Sequence, residues 1–175
     1  MRTITKYCVT LIILLGIILI FQIYQSKFNI TEADVKNLIQ EEVKAQGLGA
    51  NNLKYEKEVN ENGLKIILFS IPNKSDIGVG VFKHGINFKY KKEIITLNRQ
   101  NYVFSHRYFL KTFSIIAGEN SNKKISYIGI YSNKHKLIKE NLESGYYIKF
   151  INMKNVEYFN AYDKEGLKLE NIYHK

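Results

Sequence analysis

Cysteine, proline, tryptophan and histidine are rare or missing in this 175-residue chain, which has one cysteine, one proline, no tryptophan and four histidines. A single cysteine excludes an internal disulfide and a zinc site built from several cysteines. This residue, Cys8, lies at the start of an apolar run, whereas the lipid-bearing cysteine of a lipoprotein follows such a run. We therefore expect Cys8 to be a small apolar residue of a membrane helix.

Sequence motifs of common catalytic and metal sites are also missing. The histidines are widely spaced and form no H-E-x-x-H motif. No G-x-S-x-G nucleophile elbow is present, and acidic residues in the C-terminal region are mostly isolated rather than paired as glycoside hydrolysis requires. We therefore expect a protein that is not an enzyme and that holds no metal and no cofactor. The four histidines are His84, His106, His135 and His174.

An apolar segment near the N-terminus is the strongest feature that is present. Residues 8–24 are interrupted only by Thr10 and Gln22, which reaches the lower limit of about 17 to 25 residues for a membrane-spanning helix. Arg2 and Lys6 precede the segment. By the positive-inside tendency these charges keep the N-terminus in the cytoplasm and place the rest of the chain outside.

The end of this segment distinguishes an anchor from a cleaved secretory signal. A signal peptide needs small residues just before its cleavage site. At the end of the apolar segment, however, the residues before Gln25 and Ser26 are Ile23 and Tyr24. We therefore predict an uncleaved, single-pass anchor in the cell membrane, with Tyr24 as an aromatic residue at the outer interface.

Basic residues outnumber acidic ones by 26 to 16, so the chain has a net charge of +10. Arg2 and Lys6 contribute two of these charges, which leaves +8 for the part beyond residue 26. A basic region beside a membrane attracts anionic wall polymers and lipid headgroups. Nucleic acid is not expected as a partner, because this region is predicted to lie outside the cell.

Residues 32–46 have the pattern of an amphipathic helix. Thr31 and Asp34 are spaced as a capping box, and Gly47 is a stop signal after the last turn. The apolar positions form one stripe, which consists of Val35, Leu38, Ile39 and Val43. We expect this stripe to pack on the domain that follows, and the alternative is a contact with a partner helix.

From residue 52 the apolar period changes to two, which is typical of strands. Asn62 and Gly63 between two alternating runs predict a hairpin. Because the later runs are short and no helical segments separate them, they predict an antiparallel β-sandwich or barrel-like domain and not a parallel α/β fold. These runs cover residues 77–83, 86–95, 102–108, 112–117, 125–131, 136–141, 146–152, 156–162 and 167–172.

The expected fold is therefore mainly β and has three parts. Residues 1–27 form the membrane anchor, residues 28–51 a juxtamembrane amphipathic helix, and residues 52–175 an extracytoplasmic β-rich domain.

Glycines are concentrated in "IGVGVFKHGINF", residues 77–88. A phosphate-binding glycine loop leads from a strand into a helix, but the residues after Gly85 alternate as a strand does. Gly78 and Gly80 instead predict a strand face without side chains, which permits a bulge, a strong twist or the close approach of another backbone. His84 and Gly85 are predicted to form the turn, with Gly85 at positive φ.

Several segments together resemble a known family. They are "ILFSIPNKSDIGVGVFKHGINFKYKKE", "FSIIAGE", "KISYIGIYSNK" and "FNAYDKEGLKL". Over residues 53–172 the chain is similar to a family of small, single-pass, membrane-anchored proteins of endospore-forming Gram-positive bacteria. That family usually has tryptophan after the basic turn, where this chain has Phe88 and Tyr90. The resemblance implies an N-terminal anchor and a closing hairpin, and it carries no catalytic residue across.

Basic and aromatic residues alternate in "NFKYKKE", "SHRYFLK" and "NKHKLIK". On a strand this alternation fits an ordinary solvated face opposite a core face. It also fits a patch that binds a phosphate-rich polymer or lipid headgroups. The candidate residues of that patch are Lys89, Lys91, Arg99, Arg107, Lys134 and Lys136.

We thus expect a membrane-anchored, extracytoplasmic binding or interaction module that engages anionic wall polymer or lipid headgroups. Two alternatives remain open. One is a cell-envelope enzyme acting on a wall component, which a cleft lined by acids and histidines would favour. The other is a structural subunit of a membrane complex, which an exposed apolar stripe on the helix of residues 32–46 would favour.

Overall fold

The computed structural model describes residues 2–47, 53–71, 77–98, 102–108, 111–132, 137–151 and 156–169. Within these ranges the chain forms two helices, α1 (Arg2–Ser26) and α2 (Asp34–Ala45), followed by strands. The strands are β1 (Lys54–Glu61), β2 (Leu64–Ser70), β3 (Ile77–His84), β4 (Tyr90–Asn98), β5 (Tyr102–Tyr108), β6 (Lys111–Asn120), β7 (Tyr127–Ser132), β8 (Leu137–Asn141), β9 (Gly145–Ile151), β10 (Val156–Tyr162) and β11 (Lys168–Leu169).

The strands form three antiparallel sheets, which confirms the predicted mainly β fold. The first sheet has the order β1-β2-β3-β4, the middle sheet β5-β6-β9, and the third sheet β11-β10-β7-β8. Most strand positions were predicted within two residues, although β4 begins at Tyr90 and not at Ile86. The predicted strand residues Lys136, Asn152 and 170–172 lie outside the described residues.

The three sheets and α2 are stacked in layers. Alternate residues of β6 point to opposite faces of the middle sheet, so Ile115 packs with Ile66 and Val79 of the first sheet, while Ile116 packs with Ile128 of the third. The middle sheet is therefore covered on both faces. The helix α2 covers the remaining face of the first sheet.

The apolar stripe of α2 packs on the first sheet, which confirms the expected docking. Val35, Ile39 and Val43 are fully buried there. The helix begins two residues later than predicted, and the hydroxyl of Thr31 bonds to the carboxylate of Asp34 instead of capping the backbone. The end of the helix is as expected, since Gly47 has a φ of +74°.

Gly78 and Gly80 of β3 permit a close approach, although by side chains and not by another backbone as the sequence predicted. A Cβ atom on Gly78 would overlap the ring of Phe69, and one on Gly80 would lie 3.0 Å from Cδ1 of Ile39. The approaching groups are therefore side chains of β2 and α2. Strand β4, not a helix, follows this segment.

The two hairpins of the first sheet differ in how well the sequence predicted them. Asn62 and Gly63 both have positive φ, 52° and 70°, as a two-residue type I′ turn requires. The prediction for the β3–β4 turn is wrong, because His84 ends β3, Gly85 is not at positive φ, and the turn covers residues 85–89. Phe88 takes the positive φ, at 58°. Contacts of this turn with the end of α1, described next, explain the difference.

Candidate functional site

The β3–β4 turn packs against the C-terminal end of α1. The side-chain amide of Asn87 donates a hydrogen bond of 3.0 Å to the carbonyl oxygen of Phe28 and a longer one, 3.5 Å, to that of Gln25. Phe28 is 3% exposed. A Cβ atom on Gly85 would lie 2.7 Å from Cγ of Phe28, so glycine is needed here for the close approach of the ring and not for its φ.

The segment that follows α1 is also joined to the first sheet. Ile30 and Tyr90 form an antiparallel bridge, in which each backbone N–H donates to the carbonyl of the other, at 3.0 and 2.7 Å. Tyr90 is the first residue of β4. The helix end and the turn are therefore held together on both sides of Phe28.

Residues 7–26 of α1 form an apolar helix of 20 residues, long and apolar enough to cross a membrane. Their side chains are mostly exposed, as the side chains of a lipid-facing helix are. Lys27 follows this span and is exposed. The β3–β4 turn thus lies at the end of a helix that fits a bilayer.

A crevice of about 460 Å³ lies between the end of α1 and the β3–β4 hairpin, beside their contacts. We call it the anchor crevice. The α1 side is formed by Phe21, Tyr24, Gln25 and Phe28. The hairpin side is formed by Lys83, His84, Gly85 and Ile86. The crevice therefore has aromatic walls with a cationic side chain and an imidazole on one side.

Two large apolar side chains project from the turn. Ile86 is 72% exposed and Phe88 is 82% exposed. The ring of His84 meets the rings of Phe88 and Tyr90 edge-on, with centroids 6.2 and 5.1 Å apart. A bulky residue at positive φ is strained by about 1–2 kcal/mol, and such strain is found preferentially at functional sites.

Lysines flank this apolar tip. Lys83 lies directly opposite Lys91 in the β3–β4 register, and Lys89 is exposed in the turn. Lys91 lies 3.4 Å from a carboxylate oxygen of Glu93. Sequence reasoning missed Lys83, because a two-residue turn at His84 and Gly85 would pair it with Ile86, whereas the longer turn in the structure places it opposite Lys91.

The structure describes only part of the predicted basic patch. Lys89 and Lys91 lie together in the β3–β4 hairpin. Arg107 is on β5 of the middle sheet, and its side chain is not among those described. Arg99, Lys134 and Lys136 lie outside the described residues.

A charge cluster around the buried Lys65 lies where α2 begins. Lys65 is 3% exposed and contacts the carboxylates of Glu32, at 2.5 Å, and Glu58. Burial by itself lowers the pKa of Lys65, but the hydrogen bonds to both carboxylates outweigh it and raise the pKa above its usual value. Hydrogen bonds from Lys65 and Tyr90 lower the pKa of Glu32. This cluster ties the segment before α2 to β2.

The anchor crevice combines aromatic side chains with the polar side chains of Gln25, Lys83 and His84. Its described lining includes no carboxylate, and no three His, Cys, Asp or Glu side chains in the described ranges are placed to hold a metal ion. Both side-chain polar atoms of Gln25 are inaccessible to solvent and have no hydrogen-bond partner among the described residues. Buried amides are normally hydrogen-bonded, so this one is a group without its partner.

No protein-family model, curated protein or solved structure matches this chain. Its function is therefore inferred from the residues and contacts described above.

Proposed function

We propose that this chain is a membrane-anchored binding module whose β-rich domain lies outside the cytoplasm and contacts the surface of its own membrane through the β3–β4 turn. The turn engages anionic lipid headgroups. The observation that carries this proposal is the hydrogen-bonded contact of the turn with the end of the apolar helix, through Asn87 and Phe28.

The short connection keeps the turn close to the bilayer. Ile30, which pairs with Tyr90, is only four residues beyond Ser26, the end of the apolar span. Four extended residues reach at most about 14 Å. The hydrocarbon core is bordered by a headgroup layer of about 5–8 Å on each side, so the first residues of the hairpin lie in or just above this layer.

The apolar tip fits this position. Ile86 and Phe21 line the same crevice, and Phe21 is five residues before the end of the span, roughly 7 Å inside it at 1.5 Å per residue. Because Ile86 shares this crevice with Phe21, we expect it to lie near the boundary between headgroups and acyl chains. Full burial of such a side chain in an apolar environment contributes about 1.5–3 kcal/mol.

Electrostatics add to this apolar contribution. Lys83 and Lys89 flank the tip in the hairpin, and Lys27 directly follows the apolar span. A lysine near an anionic membrane surface contributes about 1 kcal/mol. Lys91 contributes less, because Glu93 partly neutralises it. Basic residues next to exposed apolar ones are a combination that binds membrane interfaces.

The structure offers less support to the two alternative functions. The stripe of α2 through which a structural subunit would dock is buried against the first sheet. The anchor crevice has one histidine and no acid among its described lining residues, whereas a glycoside-cleaving site uses a pair of carboxylates.

A single introduced tryptophan tests the proposal, because the chain has none of its own. The full-length Phe88→Trp variant is placed in nanodiscs that contain phosphatidylcholine and phosphatidylglycerol. We expect blue-shifted emission and strong quenching by lipids brominated near the headgroup. The matched control is Leu167→Trp, which is exposed in another hairpin and should emit as in water.

Charge reversal at Lys83 and Lys89 should weaken the quenching of the Phe88→Trp variant in anionic nanodiscs, and reversal at the exposed Lys123 and Lys164 should not. Equal accessibility of both tryptophans to aqueous acrylamide would refute the lipid contact. Binding of purified wall polymer that depends on the same lysines would instead assign the basic residues to that polymer.

A further inference from the structure

The anchor crevice has one wall from α1, which is mostly aromatic, and one wall from the hairpin, which carries Lys83 and His84. Phe21 and Tyr24 belong to the apolar span, whereas Lys83 and His84 belong to the hairpin above it. A crevice with this arrangement crosses the boundary between acyl chains and headgroups. Its volume of about 460 Å³ lies within the range of small-molecule sites, about 300–1,000 Å³.

From this arrangement we infer that the anchor crevice binds one anionic phospholipid molecule. Its headgroup and the first part of an acyl chain occupy the crevice, and the rest of the lipid stays in the bilayer. This inference rests on the proposed function, since it requires the turn to lie at the membrane surface.

Charge determines which end of the lipid lies where. Lys83 and His84 line the hairpin side, and cationic donors bind phosphate oxygens through short, charge-assisted hydrogen bonds. Phe21 and Tyr24 line the α1 side and belong to the apolar span. The phosphate therefore lies beside Lys83, and the acyl chain runs along α1.

The unpaired amide of Gln25 is an independent indication of a polar ligand. Gln25 lines the crevice, and neither its oxygen nor its nitrogen has a partner in the described part of the chain. Leaving such a buried amide unpaired is unfavourable. Both atoms are closed off from solvent in the lipid-free crevice, so the side chain of Gln25 rotates toward the lipid on binding. An ester or phosphate oxygen then accepts a hydrogen bond from Nε2, and a headgroup hydroxyl donates one to Oε1.

The glycine at position 85 keeps the crevice wall in place. Phe28 lies against it so closely that no Cβ atom fits. Asn87 fixes the turn on the backbone carbonyls of Phe28, just beyond α1, and of Gln25, at the end of α1. The two walls are therefore held at a set separation before any lipid enters, which lowers the entropic cost of binding.

Lipid binding is measured on the full-length protein purified in detergent, away from any bilayer. Native mass spectrometry counts retained lipids, and titration with short-chain phosphatidylglycerol gives a Kd. We expect one lipid per chain and a preference for phosphatidylglycerol over phosphatidylcholine. Lys83→Gln should raise the Kd about tenfold, which corresponds to loss of one hydrogen bond to a charged group.

A pair of glutamine variants separates binding from structure. Gln25→Leu should also raise the Kd about tenfold while leaving the melting temperature of the lipid-free protein equal or higher, because it removes an unpaired buried amide. Gln22→Leu is the matched control, since Gln22 is exposed one turn earlier on α1. It should leave the Kd unchanged.

The outcomes distinguish this inference from the proposed function. Equal retention of both lipids by all variants would overturn the crevice site while a quenched Phe88→Trp fluorophore still supported membrane contact by the turn. A Gln25→Leu variant that only loses stability and keeps its Kd would assign the amide a structural role and overturn its part in binding. A protein dimer that excludes lipid would show that a second copy fills the crevice, and would refute the inference.

Discussion

Replacement of Gly78 by alanine tests the close packing of the first sheet. Alanine in a strand is by itself about 0.5–1 kcal/mol more favourable than glycine. At this position, however, a Cβ atom would overlap Cζ and Cε2 of Phe69 and lie 2.9 Å from Cδ2 of Leu97. Phe69 is fully buried, so its ring has no free space in which to move.

The steric clash of the new Cβ atom outweighs the gain in strand propensity. Overpacking of a well-packed core destabilises by about 1–3 kcal/mol, so the net loss in free energy of unfolding is about 0.5–2 kcal/mol. For a chain of this size each kcal/mol lowers the melting temperature by about 2–4 °C. We therefore expect Gly78→Ala to melt roughly 2–6 °C below the unmodified protein, measured by circular dichroism of the full-length chain in detergent.

A double-mutant cycle tests the stated cause. Phe69→Leu removes the ring atoms that the new Cβ would meet, at its own cost of about 1 kcal/mol. The double variant should then lose less stability than the sum of the two single variants, with a coupling of about 1–2 kcal/mol. Gly80→Ala is the milder comparison, because its Cβ would lie 3.0 Å from side-chain atoms of Ile39 and Phe82 and would not overlap a ring.

The reasoning would be refuted by a Gly78→Ala variant as stable as the unmodified protein. It would also be refuted by strictly additive losses in the double variant. Either result would mean that Phe69 moves aside without a cost.

Two further predictions concern the charge cluster and the turn. The pKa of Glu32 is lowered, so its contribution to stability is present above the usual value of 4.5 and is lost as the pH falls through the lower folded-state pKa. Lys65→Met should therefore reduce the loss of melting temperature on acidification, and an unchanged dependence of the melting temperature on acidic pH would contradict this. Gly85→Ala should move the turn away from Phe28, which in the Phe88→Trp background should reduce quenching by brominated lipids, whereas unchanged quenching would show that the contact is not needed.

The regular elements could be predicted because their signals are local. Alternation of apolar residues placed the strands, and Asn62–Gly63 placed the first hairpin through its requirement for positive φ. The stripe of α2 was equally clear, because three buried residues recur at helical spacing. None of these features depends on residues far away in the chain.

The β3–β4 turn could not be predicted, because its geometry is determined by α1. Gly85 and Asn87 contact residues about 60 positions earlier in the sequence. An alternating run from Ile86 to Tyr90 therefore forms a turn in which Phe88 has positive φ, although its local pattern favours a strand. The burial of Lys65 could not be predicted either. Its position on a strand did not indicate that it would lie buried beside the carboxylates of Glu32 and Glu58.

The segment between the two helices connects the membrane span to the sheet through three alternate residues. Phe28 contacts the β3–β4 turn, Ile30 pairs with Tyr90, and Glu32 contacts Lys65. Three contacts within five residues tie this short stretch to one sheet. The contacts nearest the span are those of the turn with Gln25 and Phe28, so a change in the tilt of α1 acts first on the hydrogen bonds of Asn87 and on the packing of Gly85 against Phe28. We therefore expect these contacts to hold the apolar tip of the turn at one depth relative to the end of α1.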